Sequence, residues 1–174
     1  MSAKADASAE GTESAVLAGG CFWGMEEILR AVPGIHETED GYCGRAVRDA
    51  TYAVVKSGDS AHAESVRIEF DPDRLSYESL LRDWFFRMHD PTTRDRQGND
   101  VGSQYRSAIF YLSDEQKKAA VQVIREVDAT GKWQAPIVTT VERATEFWPA
   151  EESHQDYLQK YPEGYTCHRL RDWN

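Results

Sequence analysis

The sequence predicts a two-layer α/β sandwich, an α/β (α+β) fold with a mixed, mainly antiparallel sheet. Segments with the pattern of β-strands alternate along the chain with segments of helical period. The 174 residues suffice for one sizeable core and are few for two. We therefore expect residues 14–174 to form a single domain around a ferredoxin-like core.

The N-terminal part of the chain predicts an arm, a strand, a helix and a second strand. Residues 1–13 are small, polar and charged without periodicity, so we expect a disordered arm. An apolar run over 14–18 predicts a strand, and helical spacing over 25–31 stops before Pro33-Gly34. Residues 35–42 have the pattern of a second strand.

Residues 63–70 alternate as a strand does, and the alternation places a carboxyl group on an apolar face. Glu64 shares its face with Val66, Ile68 and Phe70. Either Glu64 is buried and functional, or it lies at the strand end and reaches solvent.

The C-terminal half predicts further helices and strands around one long loop. Ser76 precedes a helix whose apolar side is core, formed by Leu80, Leu81, Trp84, Phe85 and Met88. Residues 89–104 lack periodicity and predict a loop long enough to be functional. The pattern then predicts a strand at 107–112, a helix capped by Ser113 that ends near 129, a strand at 137–143 and a last helix at 150–159.

Composition excludes several classes of partner. The formal net charge is −10 and no long Lys/Arg cluster occurs, which argues against nucleic acid or an anionic membrane as a partner. No apolar run approaches a membrane span, and the N-terminus lacks the pattern of a secretory signal. We expect a soluble, cytoplasmic monomer.

Cys21 is the leading candidate for chemistry. It lies in Gly19-Gly20-Cys21-Phe22-Trp23-Gly24, between a predicted strand and a predicted helix. A helix N-terminus favours the thiolate, and the two aromatic residues supply apolar walls. The alternative is a buried cysteine that acts as a small hydrophobe.

The three cysteines, Cys21, Cys43 and Cys167, contain no CxxC pair and no zinc-finger spacing. In a reducing compartment, a disulfide among them would be transient and catalytic. Two alternative hypotheses stay open. One is a zinc-binding module that uses Cys21, Cys167, His168 and Cys43, and the other is an acyl-transfer enzyme with His62 or His154 as the base. A non-catalytic binding domain is a third.

Several motifs occur in order along the chain: Gly20-Cys21-Phe22-Trp23-Gly24, Gly41-Tyr42, His62-Ala63-Glu64, His89-Asp90-Pro91-Thr92-Thr93, Arg96-Gln97-Gly98-Asn99-Asp100-Val101-Gly102 and Tyr105-Arg106-Ser107. Together they resemble the motifs of peptide methionine sulfoxide reductase A, a family that reduces the S epimer of methionine sulfoxide. The match extends over residues 16–168.

The resemblance implies roles for individual residues. Cys21 would attack the sulfoxide sulfur and become a sulfenic acid, and Glu64 would supply the proton to the oxygen. Tyr42 and Tyr105 would donate hydrogen bonds to that oxygen, while Asp100 would help to orient the site. Phe22 and Trp23 would bind the substrate methyl group. His154 also matches a family motif, but a structural role is at least as good an interpretation, so we leave it out of the catalytic set.

The resemblance also implies how the enzyme is recycled. Cys167 lies in a C-terminal segment expected to be mobile, and it would condense with the sulfenic acid to form a disulfide. Thioredoxin or another dithiol would reduce that disulfide, and no bound cofactor is implied. Cys43 is a spare resolving thiol or a bystander. Arg45 and Ala61 stand where glycines are common in the family, which puts only loop details in doubt.

Overall fold

The computed structural model describes residues 11–44 and 62–173 and has one main sheet with a small separate hairpin. The strands are β1 (Glu13–Gly19), β2 (Ile35–Cys43), β3 (Ala63–Phe70), β4 (Arg96–Gln97), β5 (Asp100–Val101), β6 (Ser107–Tyr111), β7 (Thr140–Arg143) and β8 (Trp148–Pro149). The main sheet has the order β7-β6-β1-β3-β2-β8, and β4 pairs with β5 alone.

Every pair in the main sheet is antiparallel except β6 with β7. The four central strands, in the order β6-β1-β3-β2, have the arrangement of a ferredoxin-like core. The predicted mixed, mainly antiparallel α/β fold is therefore confirmed.

The helices follow the sequence signals. They are α1 (Phe22–Arg30), α2 (Tyr77–Ser79), a π-helical stretch (Leu80–Phe85) that continues into α3 (Phe86–Met88), α4 (Asp114–Ala129) and α5 (Tyr157–Lys160). The hydroxyl oxygens of Ser76 and Ser113 accept hydrogen bonds from the backbone N–H three residues on, at 3.0 and 3.2 Å. No helix among the described residues is both long and apolar enough to cross a membrane.

The two faces of the sheet bury different sets of side chains. The helix-covered face holds Leu17, Tyr42, Val66 and Ile109 in the main core. The opposite face buries a smaller cluster: Val16, Ala18, Cys43, Ala63, Ala108 and Phe110. Strand alternation thus sends Tyr42 and Cys43 to opposite faces.

The last predicted helix, at 150–159, is wrong over most of its length. The chain there forms a 3-10 turn (Glu152–His154) and the four-residue α5. The Ala150 N–H and the Gln155 side chain both donate to the Asp40 carbonyl on β2, at 2.9 and 2.8 Å. These tertiary hydrogen bonds hold the backbone away from a helix, and Asp156 adopts a left-handed φ of 53°.

Smaller differences concern boundaries. Strand β1 begins at Glu13, inside the arm expected at 1–13, because Glu13 pairs with Phe70. The rest of that arm, up to residue 10, lies outside the described residues, as do Arg45 and Ala61. The predicted loop at 89–104 contains the β4–β5 hairpin, and the strand predicted at 137–143 begins only at Thr140.

Candidate active site

Cys21 lies at the junction of β1 and α1, as the motif predicts, and is the residue immediately before the first turn of the helix. Gly20 turns the chain there with a φ of 95°, and a Cβ at this position would lie 2.6 Å from the Gln97 side chain. Only glycine combines that backbone conformation with so close a neighbour. The junction therefore fixes where the Cys21 side chain lies.

The Cys21 environment does not favour a resting thiolate, contrary to the expectation from helix position alone. The residue is 7% exposed. Burial raises the pKa of the thiol above its ordinary value, and the Glu64 carboxyl raises it further, while a hydrogen bond from the Trp23 N–H opposes this. Desolvation outweighs the helix N-terminus, so the free enzyme holds Cys21 as the thiol.

Glu64 is buried among apolar side chains beside Cys21, as its face of β3 predicts. It is 2% exposed, and its Oε1 accepts a hydrogen bond from the Phe22 N–H at 3.3 Å. Burial raises its pKa to about 8, with a smaller upward contribution from Asp100. Glu64 is therefore protonated at neutral pH, and its carboxyl group lies next to the backbone of Phe22, the residue after Cys21.

Phe22 and Trp23 form an aromatic wall at the start of α1. Phe22 is fully buried, with its ring centroid 5.7 Å from that of Tyr42. Trp23 is half-buried and stacks on Tyr157 with the ring centroids 3.8 Å apart. This places apolar surface next to Cys21, which is what a thioether methyl group requires.

Two hydrogen bonds and one longer contact connect this wall to Tyr42. The Trp23 Nε1–H donates to His154 Nδ1 at 3.2 Å, and His154 Nε2 lies 3.9 Å from Glu151. The Tyr42 hydroxyl donates to the same Glu151 oxygen at 3.2 Å. Tyr42 itself pairs with Glu64 across the strands β2 and β3. His154 thus supports the site from behind the aromatic wall.

Asp100 and Cys167 lie together at the other side of the site. The Asp100 carboxylate accepts a hydrogen bond from the Tyr165 hydroxyl at 3.4 Å, and its Oδ2 lies 3.9 Å from Cys167 Sγ. Besides burial and Glu64, the charges of Asp100 and Cys167 contribute to the raised pKa of Cys21. Tyr105 lies in a 3-10 turn (Ser103–Tyr105) that packs on β3, the strand of Glu64.

Sequence reasoning missed two residues of the site, one with a carboxyl group and one with a phenol. Glu151 and Tyr165 are hydrogen-bonded to Tyr42 and Asp100, from which they are 109 and 65 residues distant in sequence. Glu151 is signalled only by its place three residues before His154, and Tyr165 only by its nearness to Cys167.

Cys43 lies away from these groups. It is buried on the opposite face of the sheet, where its Sγ is 3.7 Å from the Thr145 carbonyl oxygen. Within residues 11–44 and 62–173, no three His, Cys, Asp or Glu side chains come together as a metal-ligand set.

Comparisons with known proteins agree on one family. Residues 13–173 match the family model described as peptide methionine sulfoxide reductase. The chain is 56% identical over 163 residues to peptide methionine sulfoxide reductase MsrA 1 of Mesorhizobium japonicum, covering 94% of this chain and 92% of the relative.

Solved structures give the same result. The reduced form of Mxr1 from Saccharomyces cerevisiae superimposes with a TM-score of 0.88 at 37% identity, covering 94% of each chain. Mxr1 in complex with Trx2 gives a TM-score of 0.66 at 25% identity, covering 99% of each chain.

Proposed function

The chain belongs to the peptide methionine sulfoxide reductase A family and is a thiol-dependent methionine sulfoxide reductase, in which we propose that Cys21 is the nucleophile and Glu64 the acid. One observation carries this assignment. The buried, protonated carboxyl group of Glu64 accepts a hydrogen bond from the Phe22 N–H, and Phe22 is the residue after Cys21. The carboxyl group and the Cys21 thiol are therefore neighbours at the start of α1.

In the first step, Cys21 Sγ bonds to the sulfoxide sulfur as Glu64 gives its proton to the sulfoxide oxygen. The Cys21 thiol proton replaces the one that Glu64 has lost. The hydroxyl then passes to Cys21 Sγ, and methionine leaves. The Cys21 sulfur loses two electrons and the sulfoxide sulfur gains two, so this half-reaction requires no further reductant.

A poor electrophile such as a sulfoxide needs strong hydrogen bonding at its oxygen, and the neighbouring phenols supply it. Tyr42 is placed opposite Glu64 on the adjacent strand, and Tyr105 lies in the turn that packs on β3. We assign to both the role of donors to the sulfoxide oxygen, for which the Tyr42 hydroxyl exchanges its hydrogen bond to Glu151 for one to the substrate. Asp100 orients the site from the β4–β5 hairpin, and Phe22 and Trp23 bind the methyl group.

The second step joins Cys167 to the oxidised Cys21. Cys167 Sγ attacks the sulfenic sulfur, the S–O bond breaks, and water leaves as the disulfide forms. The position of Cys167 beside Asp100, on the Cys21 side of the sheet, supports this role, whereas Cys43 lies on the opposite face.

Thioredoxin or a similar dithiol then reduces the disulfide, which matches the solved complex of Mxr1 with Trx2. The physiological substrates are oxidised proteins and peptides that contain methionine S-sulfoxide, and the electrons come from thiols without a bound cofactor. Every residue assigned above lies within residues 21–167, which supports a single catalytic domain at 14–174, and we propose that this domain acts as a monomer. Free thiols at Cys21 and Cys167 suit the reducing cytoplasm.

The test is reduction of separated R and S epimers of a methionine sulfoxide peptide, with thioredoxin and thioredoxin reductase as the electron source. We expect turnover of the S epimer alone, and none with Cys21→Ser. Ester hydrolysis without added thiol would instead support acyl transfer. Reduction of neither epimer by the wild type would overturn the proposal.

A further inference from the structure

His168 is a buried imidazole next to the resolving cysteine, and the first-step chemistry leaves it without a role. It lies against the N-terminal turn of α1, where a Cβ on Gly24 would be 2.5 Å from its Nδ1. Its backbone N–H donates to the Thr166 hydroxyl at 3.1 Å. The side chain is therefore held in one place between the Gly19-Gly20 turn and Cys167.

One hydrogen bond fixes the tautomer of this imidazole. His168 Nε2 lies 2.6 Å from the Gly19 carbonyl oxygen. A carbonyl oxygen only accepts, so Nε2 carries the proton and Nδ1 has the free lone pair. That Nδ1 lies 3.7 Å from Cys167 Sγ. Nδ1 is thus a basic nitrogen within sulfur hydrogen-bonding distance of the thiol.

Two other acceptors lie near the same thiol, and each is farther from Cys167 Sγ than His168 Nδ1 is. The Gln97 carbonyl oxygen, 4.0 Å from Cys167 Sγ, has negligible basicity. Asp100 Oδ2, 3.9 Å away, already accepts the hydrogen bond from the Tyr165 hydroxyl. His168 is the nearest of the three, and within residues 11–44 and 62–173 its Nδ1 accepts no hydrogen bond from another group.

We propose that His168 Nδ1 is the general base that removes the proton from Cys167 during formation of the Cys21–Cys167 disulfide. The inference rests on the proposed function, which makes Cys167 the resolving thiol. As the S–S bond forms, the Cys167 proton passes to Nδ1 and the S–O bond of the Cys21 sulfenic acid breaks. The imidazolium then gives the proton to the departing hydroxide, and water leaves.

The charges around both groups are consistent with a base that acts only during the reaction. Burial lowers the pKa of His168 to about 4, and Arg171 lowers it further, so the imidazole is neutral and able to accept a proton above that pH. Burial and Asp100 raise the pKa of the Cys167 thiol, while Tyr165 and Arg171 act in the opposite direction. The neutral His89 imidazole is the other titratable group close to His168. A thiol that is not ionised at rest needs a base at the moment of attack.

The experiment follows one turnover of reduced enzyme mixed with saturating methionine S-sulfoxide peptide, between pH 5.5 and 8.5. Methionine formed and thiols remaining are counted at each time after rapid alkylation. The variants are His168→Gln, whose amide retains a donor to Gly19, and Thr166→Val, which loosens the segment without removing the imidazole. Cys167→Ser is run beside them.

We expect a wild-type rate of disulfide formation that changes little between pH 5.5 and 7.5. In His168→Gln, methionine should form at the wild-type rate, while disulfide formation at pH 7 falls at least about tenfold and then rises about tenfold per pH unit. Thr166→Val should retain the flat profile, because any loss there is structural.

A flat profile in His168→Gln would assign the base to Asp100 and overturn the proposal. If His168→Gln does not fold, the pH profile of the wild type is the test. A tenfold rise in its rate of disulfide formation per pH unit between pH 5.5 and 7.5 would mean that Cys167 attacks as a pre-ionised thiolate, which would overturn the proposal. Loss of two thiols in Cys167→Ser would instead show that the resolving cysteine itself is wrongly assigned.

Discussion

At the scale of single residues, the proposed reaction depends on two titratable groups whose pKa values burial raises, and Glu64 raises that of Cys21 further. Cys21 and Glu64 are both buried, and each holds its proton at neutral pH because charge is costly in that environment. The pair can therefore present an acid to the substrate and release a nucleophile in the same step. The alternation of β3 places Glu64 on an apolar face, and the family resemblance implies its role as the acid, but neither indicates a protonated resting thiol.

Glu64→Gln tests the acid. The variant retains an acceptor for the Phe22 N–H but has no proton to give, so methionine formation should fall about 100-fold or more. In the wild type, the rate should decline as the pH rises through about 8, because Glu64 is active only when protonated. That decline should be absent in the variant. Single-turnover rates between pH 6 and 9.5 measure both effects, and Glu69→Gln on the same strand is the matched control.

Asp40→Asn tests a buried carboxyl outside the reaction. Burial and the nearby Glu26 raise the pKa of Asp40 well above its ordinary value. Its favourable contribution to stability is therefore full below the unfolded-state pKa and is lost as the pH rises through the folded-state pKa. The variant should be more stable than the wild type by about 1–2 kcal/mol at pH 8, and this difference should be smaller at pH 4.5.

Urea unfolding at the two pH values measures this difference, with Glu37→Gln, an exposed carboxyl on the same strand, as the control. A variant that is less stable than the wild type at pH 8 would show that the ionised carboxylate is stabilised in the fold.

At the scale of elements, the start of α1 has two functions. It positions Cys21, and Gly24 lets the C-terminal segment pack against the helix. A Cβ on Gly24 would overlap the Thr166 hydroxyl and lie 2.5 Å from His168. A glycine inside a helix costs about 1 kcal/mol relative to alanine, which the close approach of the segment offsets.

Gly24→Ala should displace the segment that carries Cys167. We expect disulfide formation in a single turnover to slow about tenfold, while methionine formation falls less. The double variant Gly24→Ala/Thr166→Ala removes part of the overlap and should recover part of the rate. Equal disulfide rates in the wild type and Gly24→Ala would mean that the packed position of the segment is not used in the reaction.

Periodicity predicts the elements that bury one face, and it fails where tertiary hydrogen bonds decide. The alternation from Glu64 to Phe70 predicts β3 and its buried face, because the side chains of a strand themselves determine which of its faces is buried. Residues 150–159 have helical spacing, yet their backbone and the Gln155 side chain bond to β2 instead. Likewise, the periodicity of a single helix or strand could not predict that Glu151 is the hydrogen-bond partner of Tyr42, which lies in a different part of the chain.

At the scale of the whole molecule, the sheet separates the reacting thiols from the third cysteine. Tyr42 is part of the core on the site face, and Cys43, the next residue, is buried on the other. A side chain of β2 can move to the other face of the sheet only if the register of β2 with β3 is broken. This topology supports the bystander interpretation of Cys43.

Cys43→Ala should therefore leave turnover with thioredoxin unchanged and lower the free energy of unfolding by about 1 kcal/mol. Cys167→Ser, in contrast, should lose thioredoxin-dependent turnover. Steady-state assays and urea unfolding of the two variants make the comparison. Loss of turnover in Cys43→Ala at full stability would contradict the separation.

The most direct test of the account is to map the sulfur chemistry after one turnover of the S epimer without any reductant. The wild type should form about one methionine, lose two of its three thiols and show a Cys21–Cys167 disulfide by peptide mass spectrometry. Cys167→Ser should form one methionine and retain a Cys21 sulfenic acid that dimedone traps. A trapped sulfenic acid on another cysteine, or methionine formation by Cys21→Ser, would contradict it.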